Sequence, residues 1–171
     1  VYKRQLHIGA CSSTTETRED YLRKVNLEYS QRVWKLCTGK KIPLLYASSG
    51  ATYGGGEHGF SDDEKLLPKL KPLNLYGWSK QWFDLWVLDQ ERAGLTPPRW
   101  SGFKFFNVYG FGERHKGAQA SVVLHAFDQI RKNGSLKLFK SHREGIADGQ
   151  QKRDFVSVED VVSTMDYFHQ N

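Results

Sequence analysis

Two rhythms of apolar positions alternate along this chain, and they predict its elements in order. Short continuous runs mark strands: Leu6-His7-Ile8-Gly9-Ala10 as the end of a buried strand, Ile42-Pro43-Leu44-Leu45-Tyr46-Ala47, Trp100-Ser101-Gly102-Phe103-Lys104-Phe105-Phe106, Leu136-Lys137-Leu138-Phe139 and Asp154-Phe155-Val156-Ser157-Val158. A run without alternation suits a strand covered on both faces, as in a parallel sheet. Between the runs, apolar residues recur at steps of three and four. Tyr21, Val25, Tyr29, Val33 and Leu36 predict an amphipathic helix opened by Thr17-Arg18-Glu19-Asp20 and closed near Thr38-Gly39. Trp78, Trp82, Leu85 and Trp86 predict a second helix from Tyr76 to Ala93-Gly94, its stripe facing either the core or another subunit. A third is expected over 121–132, stopped by Asn133-Gly134, and a last one begins at the Ser157-Val158-Glu159-Asp160 cap.

The resulting order, β-α-β-α-β-α-β-β-α, argues for a doubly wound parallel α/β sheet with right-handed crossovers. In such sheets ligands bind at the carboxyl ends of the strands. Three stretches are delivered there: the small-residue loop Cys11-Ser12-Ser13-Thr14-Thr15, the flexible loop Ser48-Ser49-Gly50-Ala51-Thr52-Tyr53-Gly54-Gly55-Gly56, and Asn107-Val108-Tyr109-Gly110. Residues 57–74 are polar and proline-punctuated and read as a surface excursion, with one helical turn at Ser61-Asp62-Asp63-Glu64. The chain begins inside a strand and has no Gly-x-Gly-x-x-Gly turn after a first strand, and both features are odd for a complete domain of this class.

Composition narrows the class. With 171 residues, 39% hydrophobic and 13% aromatic, the chain has enough apolar surface for one globular core. No apolar run is long enough to span a bilayer, and no membrane partner is expected. Two cysteines, Cys11 and Cys37, are too few for a disulfide framework and lack zinc spacing, so no metal is expected and a cytoplasmic, reduced protein is the default. The net charge of +6 suggests an anionic partner. The basic residues are scattered rather than gathered on one helix face, which disfavours nucleic acid.

Chemistry concentrates at Leu75-Tyr76-Gly77-Trp78-Ser79-Lys80. A phenol and an ammonium four residues apart share one helix face, and a nearby cation lowers a tyrosine pKa toward the range of a general acid or base. Alone the spacing is common. Asn26 lies mid-helix, where asparagine is usually at the surface. His115 sits in a glycine-flanked loop, where a solvated role is the ordinary one, and the absence of a Gly-x-Ser-x-Gly elbow disfavours a serine hydrolase.

The ordered landmarks Gly9-Ala10, Asn26, Tyr46-Ala47-Ser48-Ser49, Tyr76-Gly77-Trp78-Ser79-Lys80, Phe106-Asn107-Val108-Tyr109-Gly110 and Arg153-Asp154-Phe155-Val156-Ser157-Val158-Glu159-Asp160-Val161 resemble the extended short-chain dehydrogenase/reductase family of nucleotide-sugar enzymes. The resemblance implies a Rossmann-like fold of which this chain is the central part, incomplete at both ends: the N-terminal dinucleotide-binding turn and the C-terminal substrate portion are expected to be absent from these residues. Ala51-Thr52-Tyr53-Gly54-Gly55 and His115-Lys116-Gly117 resemble the branch acting at C6 of an ADP-linked heptose. That branch implies transient oxidation by NADP, with NAD the other candidate, and return of the hydride to the opposite face. Tyr76 and Lys116 would be the two acid/bases, Lys116 needing a partly desolvated pocket; Lys80 would hold the nicotinamide ribose and Ser49 the reacting oxygen. Gly9, Ala10, Cys11, Ser12, Asn26, Val108 and Lys116 would belong to the cofactor site. Asn107, His125 and Arg153 would bind the ADP-sugar, with Ala118 where the family often has a serine. A homo-oligomer is expected, and these 171 residues alone are expected to be inactive. The alternatives are another epimerase or dehydratase of the superfamily, which would not need Lys116, and a non-catalytic NADP-binding member.

Overall fold

Strand β2 (Leu44–Ser49) is the middle of a three-stranded parallel sheet, with β1 (Gln5–His7) on one side and β3 (Trp100–Phe105) on the other. The register runs from Leu44 opposite Trp100 to Ser49 opposite Phe105, and from Gln5 opposite Leu44 to His7 opposite Tyr46. The computed structural model describes residues 4–142 and 144–170. They fall in two units: one holds the residues up to Phe105 and those from Met165, the other Phe106–Thr164.

In the first unit β2 is covered on both faces, as its unbroken apolar run requires: Leu44, Leu45, Tyr46, Ser48 and Ser49 are all buried. The β1-to-β2 crossover consists of α1 (Glu19–Leu22), a π-helical stretch Arg23–Glu28 and α2 (Tyr29–Lys40). Its start differs from the expected Thr17 cap: Arg18 holds the cap position without a side-chain capping bond, and the Glu16 carboxylate accepts from the Thr17 and Arg18 amides. Helix α3 (Leu75–Arg92) joins β2 to β3, capped by the Asn74 side chain, which accepts from the Gly77 amide at 2.8 Å. Trp34, Cys37, Leu44, Tyr46, Phe83 and Val87 form the core, and Trp34 meets Tyr46, Phe83, Trp86 and Trp100 edge-on.

Both helical stripes expected from the sequence are displaced. On the first crossover the buried face is Leu22, Asn26, Ser30, Trp34 and Cys37, while Tyr29 and Leu36 are more than half exposed. On α3 it is Lys80, Phe83, Asp84, Val87 and Leu88; Trp86 is partly buried against the core, and Trp82 lies under the Arg23 guanidinium, 4.0 Å from its ring. The reason is the same in each case. The inward faces carry polar residues held by internal hydrogen bonds, Asn26 and Ser30 on the first crossover and Lys80 and Asp84 on α3, so hydrophobicity alone reports the wrong side.

Three further expectations change. Strand β1 is shorter than expected and leaves Leu6 and Ile8 about half exposed. The loop after β2 is not flexible glycine but a 3-10 turn, Gly50–Tyr53, with Thr52 and Tyr53 buried. The 136–139 run forms no strand; Leu138 and Phe139 are exposed. The excursion before α3 does contain a turn, the 3-10 helix Glu64–Lys69, capped by Asp63 accepting from the Lys65 amide.

The second unit pairs β4 (Asn107–Tyr109) in parallel with β5 (Phe155–Ser157). Helix α4 (Val122–Asn133) is capped by Ser121, whose hydroxyl accepts from the Leu124 amide, and ends at Gly134 with φ 68°, a left-handed stop that suits glycine. Helix α5 (Val158–Gln170) starts in this unit, and its residues from Met165 belong to the first.

Candidate active site

The carboxyl end of β2 and the first turns of α3 hold the chemistry of the first unit. Gly77 lets them approach: a Cβ there would lie 2.9 Å from the Ala51 carbonyl oxygen and 2.8 Å from the Pro72 Cβ. The Ser49 hydroxyl accepts from the Ala51 amide at 3.1 Å and faces the Tyr76 phenol, where it favours the anionic form. Burial dominates nevertheless and pushes the Tyr76 pKa up, with the Cys11 thiol adding to the rise. The lowering by Lys80 expected from the helix spacing is not found: desolvation of the phenolate sets the direction, and the opposing pull comes from the Ser49 hydroxyl.

Lys80 is 7% exposed and donates to the Ala47 carbonyl at 2.9 Å. Burial lowers its pKa from 10.5 to about 8, against a weaker upward pull from Asp84 and Cys11. An ammonium has three donors. With one of them on the Ala47 carbonyl, the donor set suits the hydroxyls of a ribose, and in this respect the residues fit a nicotinamide cofactor.

Asn26 is a brace. Its amide donates to the Cys11 carbonyl at 3.0 Å and to the Ser79 hydroxyl at 2.8 Å, and its oxygen accepts from the Cys11 amide at 2.8 Å. Both donors are consumed, so Asn26 fixes the loop after β1 rather than reaching a ligand with them, and the Cys11 amide is no longer free for an anion. Ser79 in turn donates to the Tyr76 carbonyl at 2.7 Å, so one chain of bonds joins loop, π-helical stretch and α3. A π-helical turn at such a residue is a recurrent feature of functional sites. Gly9, Ala10 and Ser12 are exposed on the same loop, and a Cβ on Gly9 would meet nothing within 4 Å.

Sequence reasoning missed two buried polar groups here. His7, beside Lys80 in its electrostatics, has its pKa lowered by burial first and by the lysine charge second. Its Nε2 lies 2.8 Å from the Ser30 hydroxyl, which donates to the Asn26 carbonyl at 2.6 Å, so Nε2 must be the protonated nitrogen. The second is Asp84, 3% exposed, which accepts from Ser48 at 2.6 Å, Tyr46 at 3.2 Å and Lys104 at 2.5 Å. The signal available was spacing: Asp84 follows Lys80 by one helical turn.

The remaining candidates lie in the second unit. Lys116, His115 and Ala118 are exposed on the 3-10 stretch Glu113–Gln119, and the partly desolvated pocket expected for Lys116 is not provided there. Glu113 shapes that stretch: it is buried, and desolvation would raise its pKa, but bonds from the Ser121 amide and hydroxyl at 2.7 Å and from the Gly110 amide hold it below the ordinary value. Asn107 donates to the Asp154 carbonyl at 2.8 Å. Val108 and His125 are half-buried, and Arg153 is exposed with its guanidinium on the Lys152 carbonyl. Among the described residues no cluster of His, Cys, Asp or Glu could hold a metal, and no helix is long and apolar enough to cross a membrane.

The chain is similar to known proteins over nearly all of its length. An ADP-L-glycero-D-manno-heptose-6-epimerase of Fusobacterium nucleatum is 52% identical over 165 residues, which is 95% of this chain and 48% of that protein. The crystal structure of the enzyme of that name from Helicobacter pylori superposes with a TM-score of 0.76 at 30% identity, over 94% of this chain and 47% of that one. A Thermus thermophilus UDP-glucose 4-epimerase in complex with NAD superposes with a TM-score of 0.71 at 26% identity, over 96% of this chain and 52% of its own. The chain thus spans about half the length of the relatives it matches. Residues 5–171 match the NAD dependent epimerase/dehydratase family, and the chain belongs to it.

Proposed function

We propose that the full-length protein containing these residues interconverts the two C6 epimers of ADP-glycero-manno-heptose, in lipopolysaccharide core synthesis. One observation carries the reading: Tyr76, Ser49 and Lys80 are grouped at the carboxyl end of β2, Ser49 facing the phenol and Lys80 buried one turn along α3. The names of the relatives supply the substrate class. These residues would be the central part of the domain.

Tyr76 takes the alcohol proton on one face of the sugar carbon and returns it in the reverse direction. Burial favours the phenol, the form that gives a proton, and the Ser49 hydroxyl favours the phenolate, the form that takes one. Ser49 donates to the reacting oxygen. Lys80 holds the ribose of the cofactor, with Gly9, Ala10, Cys11, Ser12 and Val108 around it and Asn26 bracing the loop. NADP, or NAD, held by these residues would supply the hydride acceptor and donor for C6. Lys116 is the acid/base for the opposite face, since one group cannot deprotonate both epimeric alcohols. Asn107, Ala118, His125 and Arg153 contact the ADP-sugar, and Arg153 suits a bidentate diphosphate contact. The protein works in the cytoplasm as a homo-oligomer.

The test follows epimer interconversion by proton NMR in the full-length protein, with substrate deuterated at C6. The label is expected to stay on C6, and Tyr76→Phe to lower kcat by on the order of a hundredfold or more. Full turnover by Tyr76→Phe, or loss of the label to solvent, overturns the reading. Full turnover by Lys116→Met removes the second acid/base and favours a one-base enzyme of the same family.

A further inference from the structure

A buried ion pair at the carboxyl ends of β2 and β3 has no part in the chemistry described above. Asp84 on α3 is 3% exposed, and the Lys104 side chain on β3 is 16% exposed. Taking two charges out of water costs several kcal/mol for each ion, and apolar residues of similar volume would do as well for stability. What such a pair provides instead is a fixed arrangement of directional donors and acceptors.

That arrangement closes a ring. The Asp84 Oδ2 accepts from Lys104 at 2.5 Å and from the Ser48 hydroxyl at 2.6 Å. The Lys104 ammonium also donates to the Thr52 Oγ1 at 2.8 Å and lies 5.5 Å from the centre of the Tyr53 ring. Thr52, fully buried, donates its own hydroxyl hydrogen bond to the Ser49 carbonyl at 2.8 Å. Ser48 and Ser49 are adjacent, so the residue facing Tyr76 is gripped from both sides: through its neighbour by Asp84 and through its own carbonyl by Thr52. The strand end cannot slide along α3 without breaking a bond to a buried charge.

We infer that Asp84 and Lys104, acting through Ser48 and Thr52, are positioning residues that hold Ser49 against Tyr76. The inference rests on the reading of Tyr76 and Ser49 as working groups of an epimerase. Lys80 is drawn into the same frame, because its acceptor is the carbonyl of Ala47, the residue before Ser48.

Thr52→Val, made in the full-length protein, cuts the ring at its middle link without altering charge or shape. Three quantities are read: kcat and KM for the ADP-sugar, the thermal midpoint, and the titration of Tyr76 by difference absorbance against Tyr76→Phe. The ionisable neighbours of Tyr76, Cys11 from the loop after β1 and Lys80 from its own helix, are untouched by the change. The expected result is a fall in kcat on the order of tenfold to a hundredfold with KM unchanged. The Tyr76 titration moves to higher pH, since the phenolate loses Ser49, and Thr52→Ser restores both. An unmoved titration overturns the inference, as does a kcat loss that follows the folded fraction and is not rescued by serine. The two readings fail separately. If the wild-type protein turns over no ADP-sugar, the proposed function falls, and the Tyr76 titration in Thr52→Val still decides this inference.

Discussion

Replacing Lys80 by methionine is expected to make the protein more stable at neutral pH. The ammonium is 7% exposed, and its pKa falls from 10.5 to about 8, mainly through desolvation. At about 1.4 kcal/mol for each pH unit, keeping that charge in the folded protein costs about 3 kcal/mol relative to the unfolded chain. Methionine removes this cost but forfeits the bond to the Ala47 carbonyl, worth about 1 kcal/mol, so the variant gains about 2 kcal/mol. The sign with pH follows from proton counting. Between about pH 8 and 10.5 the unfolded chain binds more protons at this site than the folded one, so wild-type stability rises with pH across that window. The variant lacks the rise. Its advantage is full below about pH 8, shrinks through the window and changes sign by about pH 10.5. Urea unfolding followed by tryptophan fluorescence, at about pH 7 and about pH 10, measures the difference directly. A Lys80→Met protein that is less stable than wild type at neutral pH, by a gap that does not vary with pH, refutes the reasoning. A gain in stability with loss of activity would mark Lys80 as a residue kept for function at the expense of the fold.

Asn26→Ala leaves the Cys11 amide and carbonyl without their partner, and is expected to lower unfolding free energy by about 1–3 kcal/mol, read from the urea midpoint. Trp34→Ala empties the centre of the aromatic core and should cost about 3–5 kcal/mol by the same measurement; a loss below about 1 kcal/mol would show that the core collapses around the gap. Cys37 is 1% exposed and burial raises its thiol pKa, whereas Cys11 is half-exposed. Native protein should therefore react with one equivalent of a disulfide reagent quickly and with the second only on unfolding, and two equally fast thiols would be the contrary result.

Much of this fold is legible in the residues in order. The unbroken run at Leu44-Leu45-Tyr46-Ala47 announces a strand covered on both faces, because no alternation is needed where neither face meets water. Ser121 and Gly134 mark helix ends through their local hydrogen bonding and backbone freedom, which need no distant partner. The Tyr76 and Lys80 spacing is likewise a property of one helix. What local pattern could not supply is which side of each helix turns inward. Hydrophobic periodicity assigns Tyr29 and Leu36 to the interior, yet the interior is lined by Asn26, Ser30 and Trp34. Asparagine and serine are tolerated there only because Cys11, Ser79 and His7 come from other parts of the chain to satisfy them.

The same distinction separates the two halves of the site chemistry. Composition and order alone determined that this is a parallel α/β chain bearing a tyrosine and a lysine one helical turn apart. Tertiary structure alone decided that desolvation raises the phenol and lowers the ammonium, and that Asp84 on α3 meets Lys104 on β3. The physical reason is that spacing acts over one turn of helix. The free energy of a charge depends on everything within several ångströms, and most of that arrives from residues distant along the chain.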